Sequence, residues 1–134
     1  MNMPVVLDTN ALICLFRGNC EDVRRAVAGA SRIVIPLAAY GEFSAGVEGA
    51  KGRRALEAEL LGDFLSIPNT SVHHPSEVTA QYYAKIFAAL KRQGTPIPAN
   101  DIWIAAETME VGGHLYSLDE HFSHVPMLNW TLCG

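Results

Sequence analysis

A short apolar run that ends at a carboxylate near the N-terminus is the strongest constraint on the fold. Residues 5–7 are Val-Val-Leu, which is typical of a buried strand, and the run stops at Asp8. Thr9 and Asn10 follow, and both are suited to cap the apolar helix predicted next. We therefore expect Asp8 where a strand turns into a helix, which is where open α/β sheets bind ligands. The alternative is that Asp8 only ends the strand or caps the helix.

Strand and helix patterns alternate along the rest of the chain. This alternation favours right-handed crossovers and a parallel sheet. With 134 residues, 49% apolar and 18% charged, the chain fits one domain with a substantial core, covering residues 1–134. Further strands are expected at 32–36, near Val72, at 114–117 and, as an edge strand, at 127–130, with helices at 11–16, 21–28, 37–47, 53–65, 77–93 and 99–111. Val78, Tyr82, Ile86 and Leu90 form the predicted core-facing stripe of the long helix.

Several classes of protein are disfavoured by composition. No apolar run approaches the ~20 residues of a membrane span. Residues 1–4 go directly into the first strand without a basic region before an apolar one, so we expect no signal peptide. Cys14, Cys20 and Cys133 are an odd and scattered set, which favours a reducing cytoplasm over a disulfide framework. Cys14 lies on an apolar helix and is expected in the core.

The charges are distributed unevenly. All ten Lys and Arg residues lie between Arg17 and Arg92, so the last 42 residues contain none. Acidic residues in that segment either face water or are neutralised by something other than Lys or Arg. They are Asp101, Glu107, Glu110, Asp119 and Glu120.

Glu42 is unusual because small residues surround it on its predicted helix. Ala38, Ala39, Ala45 and Gly46 lie one turn away on either side, and none of them is basic. A glutamate in such surroundings indicates that something approaches it closely. The alternative is an ordinary exposed glutamate.

Two later acids repeat this theme. Asp119 follows the strand predicted at 114–117, just as Asp8 follows the first strand. Asp101 lies in the first turn of a helix, beside Ile102 of its buried face. Acids are common in first turns because the helix dipole stabilises them, so Asp101 is ambiguous by itself.

These four acids are predicted to meet at one edge of the sheet, where strands end and the following helices begin. Four adjacent carboxylates would raise one another's pKa unless a cation held them, and oxygen ligands select a hard ion such as Mg²⁺ or Mn²⁺. Without the four, ten acids balance ten bases, so the acidic pocket sits in a neutral body. We therefore expect a phosphate substrate to bind only with the metal.

The same residues resemble the PIN-domain nucleases and, among them, the VapC-type toxins of bacterial and archaeal toxin–antitoxin pairs. The similarity covers nearly the whole chain, in order and at the expected spacing. Its matching segments are Val6-Leu7-Asp8-Thr9-Asn10, Glu42, residues 98–106 (Pro-Ala-Asn-Asp-Ile-Trp-Ile-Ala-Ala) and residues 117–122 (Ser-Leu-Asp-Glu-His-Phe).

The resemblance implies a divalent-metal-dependent endoribonuclease on a three-layer α/β/α sandwich with a mostly parallel central sheet. It also implies an RNA substrate, a small antitoxin that blocks the site, and a homodimer. Thr9 and Asn10 become supporting polar residues, and Ser117 keeps a hydroxyl where threonine is frequent. The acidic site that it implies comprises Asp8, Glu42, Asp101 and Asp119.

The expected mechanism uses a metal-activated water. Asp8 and Asp101 would hold one Mg²⁺ or Mn²⁺, directly or through water. Asp119 would complete the site or help a second ion, and Glu42 would orient or deprotonate the attacking water. Attack on RNA would leave a 5′ phosphate and a 3′ hydroxyl. Two other functions stay open: a small metal-dependent phosphohydrolase with Asp8 as nucleophile, which would usually have an acid at Asn10, and a catalytically inactive PIN-like protein-binding module.

Three further groups have both a functional and an ordinary interpretation. Lys51, Arg53 and Arg54 indicate a phosphate-contacting edge or a solvated face, and Trp103 on the outer face of its helix is suited to stack on a base, pack on a partner helix or be partly buried. The remaining group suggests zinc, but its spacing is typical of loop and edge residues: His114, His121, His124 and Cys133.

Overall fold

A five-stranded parallel sheet forms the centre of the protein. The computed structural model describes residues 3–134. Met1 and Asn2 lie outside the described residues, and with them the start of the segment in which we expect no signal peptide. The strand order is β3-β2-β1-β4-β5, and every pairing is parallel. This confirms the predicted parallel sheet. The strands are β1 (Val5–Leu7), β2 (Ile33–Pro36), β3 (Thr70–His73), β4 (His114–Ser117) and β5 (Trp130–Leu132).

Six helices of residues 3–134 pack around this sheet and complete the predicted α/β sandwich. They are α1 (Thr9–Arg17), α2 (Glu21–Ala28), α3 (Leu37–Val47), α4 (Arg53–Leu65), α5 (Glu77–Gln93) and α6 (Ala99–Glu110), and a short 3₁₀ helix spans Glu120–His124. None of the helices in the described residues is long and apolar enough to cross a membrane.

Two predicted boundaries differ from the structure. Helix α1 already begins at Thr9, so Asp8 caps it and neither Thr9 nor Asn10 does. The last strand begins at Trp130 and not at residue 127. Met127 has a φ of 65°, so the chain turns there instead of extending.

The core lies between β1, β2 and the helices. All residues of β1 and β2 are buried. Ile86 and Leu90 of the predicted α5 stripe are also buried, but Val78 is 47% exposed, so that part of the prediction is wrong. The fully buried Thr79 takes its place in the first turn of α5, because its hydroxyl bonds to α6.

The cysteines differ from the expectation that they form no disulfide. A disulfide joins Cys14 to Cys20, whose Cα atoms are 5.6 Å apart, and Cys133 is a buried free thiol. Gly18 ends α1 with a φ of 74°, a conformation that favours glycine, and reverses the chain so that Cys20 returns to α1. The break between α1 and α2 therefore brings the two sulfurs together.

Arg54 belongs to a buried ion pair and not to a free basic edge. Its Nη1 lies 3.0 Å from Glu57 Oε1, and its guanidinium lies over the Phe43 ring. A Cβ at Gly46 would lie 2.5 Å from Arg54 Nη2, so the small residue here makes room for Arg54. Gly46 is therefore small because Arg54 lies against it, so this residue no longer supports the interpretation that small neighbours let something approach Glu42. Lys51 and Arg53 stay exposed.

Candidate active site

The candidate site lies where the strand order reverses direction. From β1 the chain builds β2 and β3 on one side, and β4 and β5 on the other, so β1 and β4 are neighbours. Asp8 follows β1 directly, and Asp119 lies just beyond β4. A crevice forms outside the carboxyl ends of strands at such a reversal, and ligands of α/β proteins bind there.

Asp8 is almost completely buried at this point. It is 4% exposed, and its carboxylate accepts hydrogen bonds from Thr9 N (2.7 Å) and Ser117 Oγ (2.7 Å). Burial raises the pKa of Asp8 from 3.8 to about 6; the two hydrogen bonds oppose this shift, and the charges of Glu42 and Asp101 add to it. Asp8 therefore caps α1 and also belongs to a cluster of repelling carboxylates.

The predicted supporting residues hold the two strand ends together. Ser117 Oγ donates to Asp8 and accepts from Asp119 N at 3.0 Å. Asn10 Oδ1 accepts from Leu118 N at 2.9 Å, which fixes the end of β4 against α1. Thr9 instead points to α3, where its hydroxyl donates to Ala39 O at 3.2 Å.

Glu42 reaches the site from α3. Its side chain is exposed, and it accepts a hydrogen bond from Asn100 Nδ2 at the start of α6. Partial burial raises the pKa of Glu42, and repulsion from Asp101 and Asp119 adds to the effect, while hydrogen bonds from Thr9 and Asn100 oppose it. The structure thus places Glu42 in the field of the other acids, although it lies on a separate helix.

Asp101 and Asp119 meet around a histidine. His121 Nδ1 lies 3.0 Å from Asp101 Oδ2 and 3.1 Å from Asp119 Oδ1. Partial burial raises the pKa of Asp101, the hydrogen bond to His121 opposes this shift, and the charge of Asp119 adds to it. The same two carboxylates raise the pKa of His121, and the hydrogen bond that the His121 ring donates to Asp101 is the largest cause. Each of the four predicted acids therefore lies at one edge of the sheet.

Sequence reasoning missed His121 as part of this site. It was interpreted as a loop or edge residue, but the 3₁₀ helix that Asp119 caps turns its ring back onto the acids. Its place two residues after the strand-end acid was the available signal. The other two histidines of the zinc hypothesis do not join it: His114 bonds to Thr131 Oγ1, and His124 is exposed.

Trp103 lies outside the acidic cluster, on the side of α6 that packs against α5. Its ring packs on Tyr83 of α5, with 4.3 Å between the ring centroids. Of the three interpretations of Trp103, partial burial agrees with the structure, and the ring packs against a helix of this chain.

The donor set fits a hard divalent cation. In the part of the chain that the structure describes, no Lys or Arg pairs with the four acids, and His121 is the one basic side chain in contact with any of them. Carboxylate oxygens of Asp101 and Asp119 and the His121 ring are close enough to share one ion. Asp8 is buried near the carboxylates of Glu42 and Asp101, and a divalent ion would neutralise the combined negative charge of these acids.

A parallel sheet with acids gathered at its reversal point defines an α/β protein whose site is suited to bind a cation and act on phosphates. The chain belongs to the PIN-domain family: the PIN domain model matches residues 5–128.

Individual relatives agree with this membership. Ribonuclease VapC1 of Haemophilus influenzae strain R2866 is 28% identical over 132 residues, which cover 96% of each chain. The solved structure of VapBC-1 from nontypeable Haemophilus influenzae shares 26% identity with a TM-score of 0.81, covering 96% of this chain and 97% of that one. VapBC2 from Rickettsia felis, bound to a DNA fragment from its promoter, shares the fold at 20% identity with a TM-score of 0.82, covering 98% and 100%. The fold and the family that the sequence predicted are thus confirmed.

Proposed function

We propose that this protein, as one nuclease domain over residues 1–134, is a divalent-metal-dependent endoribonuclease and the toxin of a toxin–antitoxin pair. The observation that carries the proposal is the burial of Asp8 among carboxylates without a Lys or Arg partner in the described residues. A buried acid in this position needs a cation from outside the chain. The similarity to a protein named Ribonuclease VapC1 supports RNA as the substrate.

Asp8, Asp101 and Asp119 would hold the ion, which we expect to be Mg²⁺ or Mn²⁺. A bound divalent ion supplies a Lewis acid that lowers the pKa of water and stabilises charge on a phosphate. Ser117 and the Thr9 amide fix the carboxylate of Asp8, so it has little freedom to turn away. The His121 ring lies between Asp101 and Asp119, and its protonated form would partly neutralise these two acids when no metal is bound.

Glu42 would act on the attacking water. The raised pKa of Glu42 makes this carboxylate a better proton acceptor than an ordinary glutamate, and Asn100 orients it. Water attacks phosphorus in line, its proton passes to Glu42, and the bond to the 3′ oxygen breaks. The 3′ oxygen takes a proton from solvent, which leaves a 5′ phosphate and a 3′ hydroxyl without use of the 2′ hydroxyl.

The surroundings of Asn10 argue against the phosphohydrolase alternative. Such an enzyme would use a second acid at this position to exchange protons, but Asn10 carries an amide whose oxygen is bound to Leu118 N. Asn10 therefore has a structural task at the end of β4.

Partners follow from the structural neighbours. A further solved structure, VapBC-5 from Mycobacterium tuberculosis, is described as a member of the VapBC family of toxin-antitoxin systems and shares the fold of this chain at 20% identity with a TM-score of 0.72. We propose that a small antitoxin binds this chain and covers the acidic site. We also propose a homodimer and a place of action in the cytoplasm, where the RNA is.

The experiment compares the wild type with Asp101→Asn in cells. Each protein is induced, and new RNA 5′-phosphate ends are mapped across the transcriptome, with Glu59→Gln on α4 as a matched exposed-acid control. A few sharp new ends in the wild type and the control, but not in Asp101→Asn, are the expected result. Equal end maps for all three folded proteins, or cyclic phosphates at the cleavage sites, would contradict the proposal.

A further inference from the structure

The start of α3 is capped from another helix. Pro36 precedes α3 and offers no side-chain cap, so the first amides of the helix need an acceptor from elsewhere. Glu107 of α6 supplies an acceptor for each of the first two amides: Oε1 accepts from Leu37 N at 2.7 Å, and Oε2 accepts from Ala38 N at 3.1 Å. Glu107 is 1% exposed, so this carboxylate is buried between the two helices.

Glu107 is itself held in place. Its Oε1 lies 2.8 Å from His73 Nδ1, at the end of β3, and His73 Nε2 lies 3.0 Å from Glu110 Oε1. Glu110 in turn accepts hydrogen bonds from Ser76 and Thr79 at the start of α5. The direct contact with His73 therefore holds the carboxylate that caps α3, whereas Glu110 touches only the far side of the His73 ring.

Both helices in this contact carry acids of the candidate site. Asp101 lies six residues before Glu107 on α6, which places them about 9 Å apart along the axis. Glu42 lies five residues after Leu37 on α3. The two helices thus touch through polar contacts at two points, Asn100 with Glu42 and Glu107 with the start of α3. Two separated contacts restrict both sliding and rotation of one helix against the other.

We propose that Glu107 is a positioning residue, which sets the place of Glu42 relative to Asp101 by holding the start of α3 against α6. The proposal rests on the proposed function for its consequence in metal binding and catalysis. A capping residue within α3 would satisfy the same amides, but it would leave the spacing of the two helices free. The cap from α6 joins helix formation to the geometry of the site.

The test compares three variants by NMR in the absence of metal. Glu107→Leu removes both acceptors, Glu107→Gln keeps one acceptor oxygen, and Glu110→Gln is the matched control, which changes the same network without touching α3. The Asn100 side-chain amide reports the place of Glu42, and amide hydrogen exchange reports the contacts of Leu37 and Ala38. We expect Glu107→Leu to move the Asn100 signal towards its free position and to speed exchange at residues 37 and 38. Glu107→Gln should change both less, and Glu110→Gln should change neither.

A second arm uses Mn²⁺ alone, followed by electron paramagnetic resonance, in two backgrounds. Outer residues that orient a metal site typically affect affinity by about tenfold or more, so we expect Glu107→Leu to weaken Mn²⁺ binding ~10-fold in the wild-type background. In a Glu42→Gln background the same change should add nothing, because Glu107 acts on metal binding through the negative charge that Glu42 brings next to the other acids. A merely stabilising role would give equal losses in both backgrounds.

The results separate the two proposals. If the wild type does not bind Mn²⁺, the proposed function fails, and the Asn100 signal still decides the role of Glu107. An unchanged Asn100 signal in Glu107→Leu overturns the positioning role. If that variant does not fold, an unchanged Asn100 signal in folded Glu107→Gln, with normal exchange at residues 37 and 38, overturns it equally.

Discussion

Asp8 and Glu57 are two buried carboxylates with opposite surroundings. Asp8 is 4% exposed and Glu57 is 2% exposed. Glu57 lies between two guanidinium groups, with Arg17 Nε at 2.8 Å and Arg54 Nη1 at 3.0 Å, and these hold the pKa of Glu57 below its ordinary value. Among the described residues, the donors to the Asp8 carboxylate are one hydroxyl and one amide, and the pKa of Asp8 rises to about 6.

The difference separates an acid that is paired within the chain from an acid that we propose binds a cation. The charge of Glu57 is neutralised within the chain, so it joins α1 to α4 and has no need of a ligand. In the described residues no Lys or Arg pairs with Asp8, and the charges of Glu42 and Asp101 raise the pKa of Asp8 further. Burial alone therefore does not distinguish the two roles. The partners of the carboxylate do, and each of the following predictions changes one side of this contrast.

The largest expected effect is on catalysis by Asp8→Asn. This variant should lower the rate of cleavage of the RNA found in cells by about 100-fold or more, because loss of a group that stabilises developing charge costs that much. The rate is measured with purified protein in Mn²⁺. The variant should at the same time unfold less readily than the wild type in EDTA, since a buried charge is gone. Normal cleavage by the variant would remove Asp8 from the site.

Glu57→Gln should show the reverse combination. Breaking a buried ion pair leaves the arginines without their partner and should lower the free energy of unfolding by about 3 kcal/mol. Mn²⁺ affinity and cleavage at a temperature where the variant is folded should stay unchanged. Urea denaturation and an Mn²⁺ titration measure the two quantities. A large loss of Mn²⁺ affinity would mean that the Glu57 ion pair and the site around Asp8 are coupled, which would contradict the separate roles that we assign to these two acids.

The pH dependence of stability should also differ between the two acids. The pKa of Asp8 is about 6 in the folded protein and 3.8 in an ordinary setting, so the folded state binds the proton more tightly. In the metal-free protein the free energy of unfolding therefore falls as pH rises from about 4 to 6. The decrease is about 3 kcal/mol, because the pKa of Asp8 is about two units higher in the folded state than in an ordinary setting. The pKa of Glu57 is lowered, so its contribution is present above pH 4.5 and is lost as pH falls through the folded pKa.

This prediction is measured by urea denaturation in EDTA across that range. The advantage of Asp8→Asn over the wild type should grow from pH 4 to pH 6 and then level off. A constant difference between the two proteins would show that Asp8 titrates normally in the folded state.

The smallest expected effect comes from His121→Gln. The pKa of His121 is raised by Asp101 and Asp119, so its positive form persists to higher pH and competes with a cation for these acids. The ratio of Mn²⁺ affinities, variant to wild type, should be about threefold higher at pH 6 than at pH 8, as protons and metal compete. Asp8 titrates in both proteins, so the ratio isolates His121. A ratio independent of pH would contradict the competition.

Local patterns predicted the fold and the four acids because the relevant signals lie within single elements. The apolar run before Asp8 specifies β1, and the strand-end position of Asp119 repeats it. Parallel strands bring such ends to one edge, so the neighbourhood of these acids followed from topology. Glu42 was predicted from its small neighbours, although one of them, Gly46, makes room for Arg54.

Contacts between distant side chains could not be predicted in this way. The pairing of Arg54 with Glu57 and the cap that Glu107 gives to α3 depend on how helices pack. The return of His121 to Asp101 depends on the turn of a 3₁₀ helix. The Cys14–Cys20 disulfide depends on a chain reversal at one glycine. In each case the number of residues between the two partners does not indicate which way their side chains point in the folded chain.

The most direct test of the account is thermal unfolding of the wild type and Asp8→Asn at pH 7.5, in EDTA and in Mn²⁺. In EDTA the variant should melt at the higher temperature, because it lacks the uncompensated buried charge. Mn²⁺ near 100 times its Kd should raise the Tm of the wild type by roughly 5–10 °C and leave the variant almost unchanged. Equal stabilisation of both proteins, or no effect of Mn²⁺ on the wild type, would contradict a cation site built around Asp8.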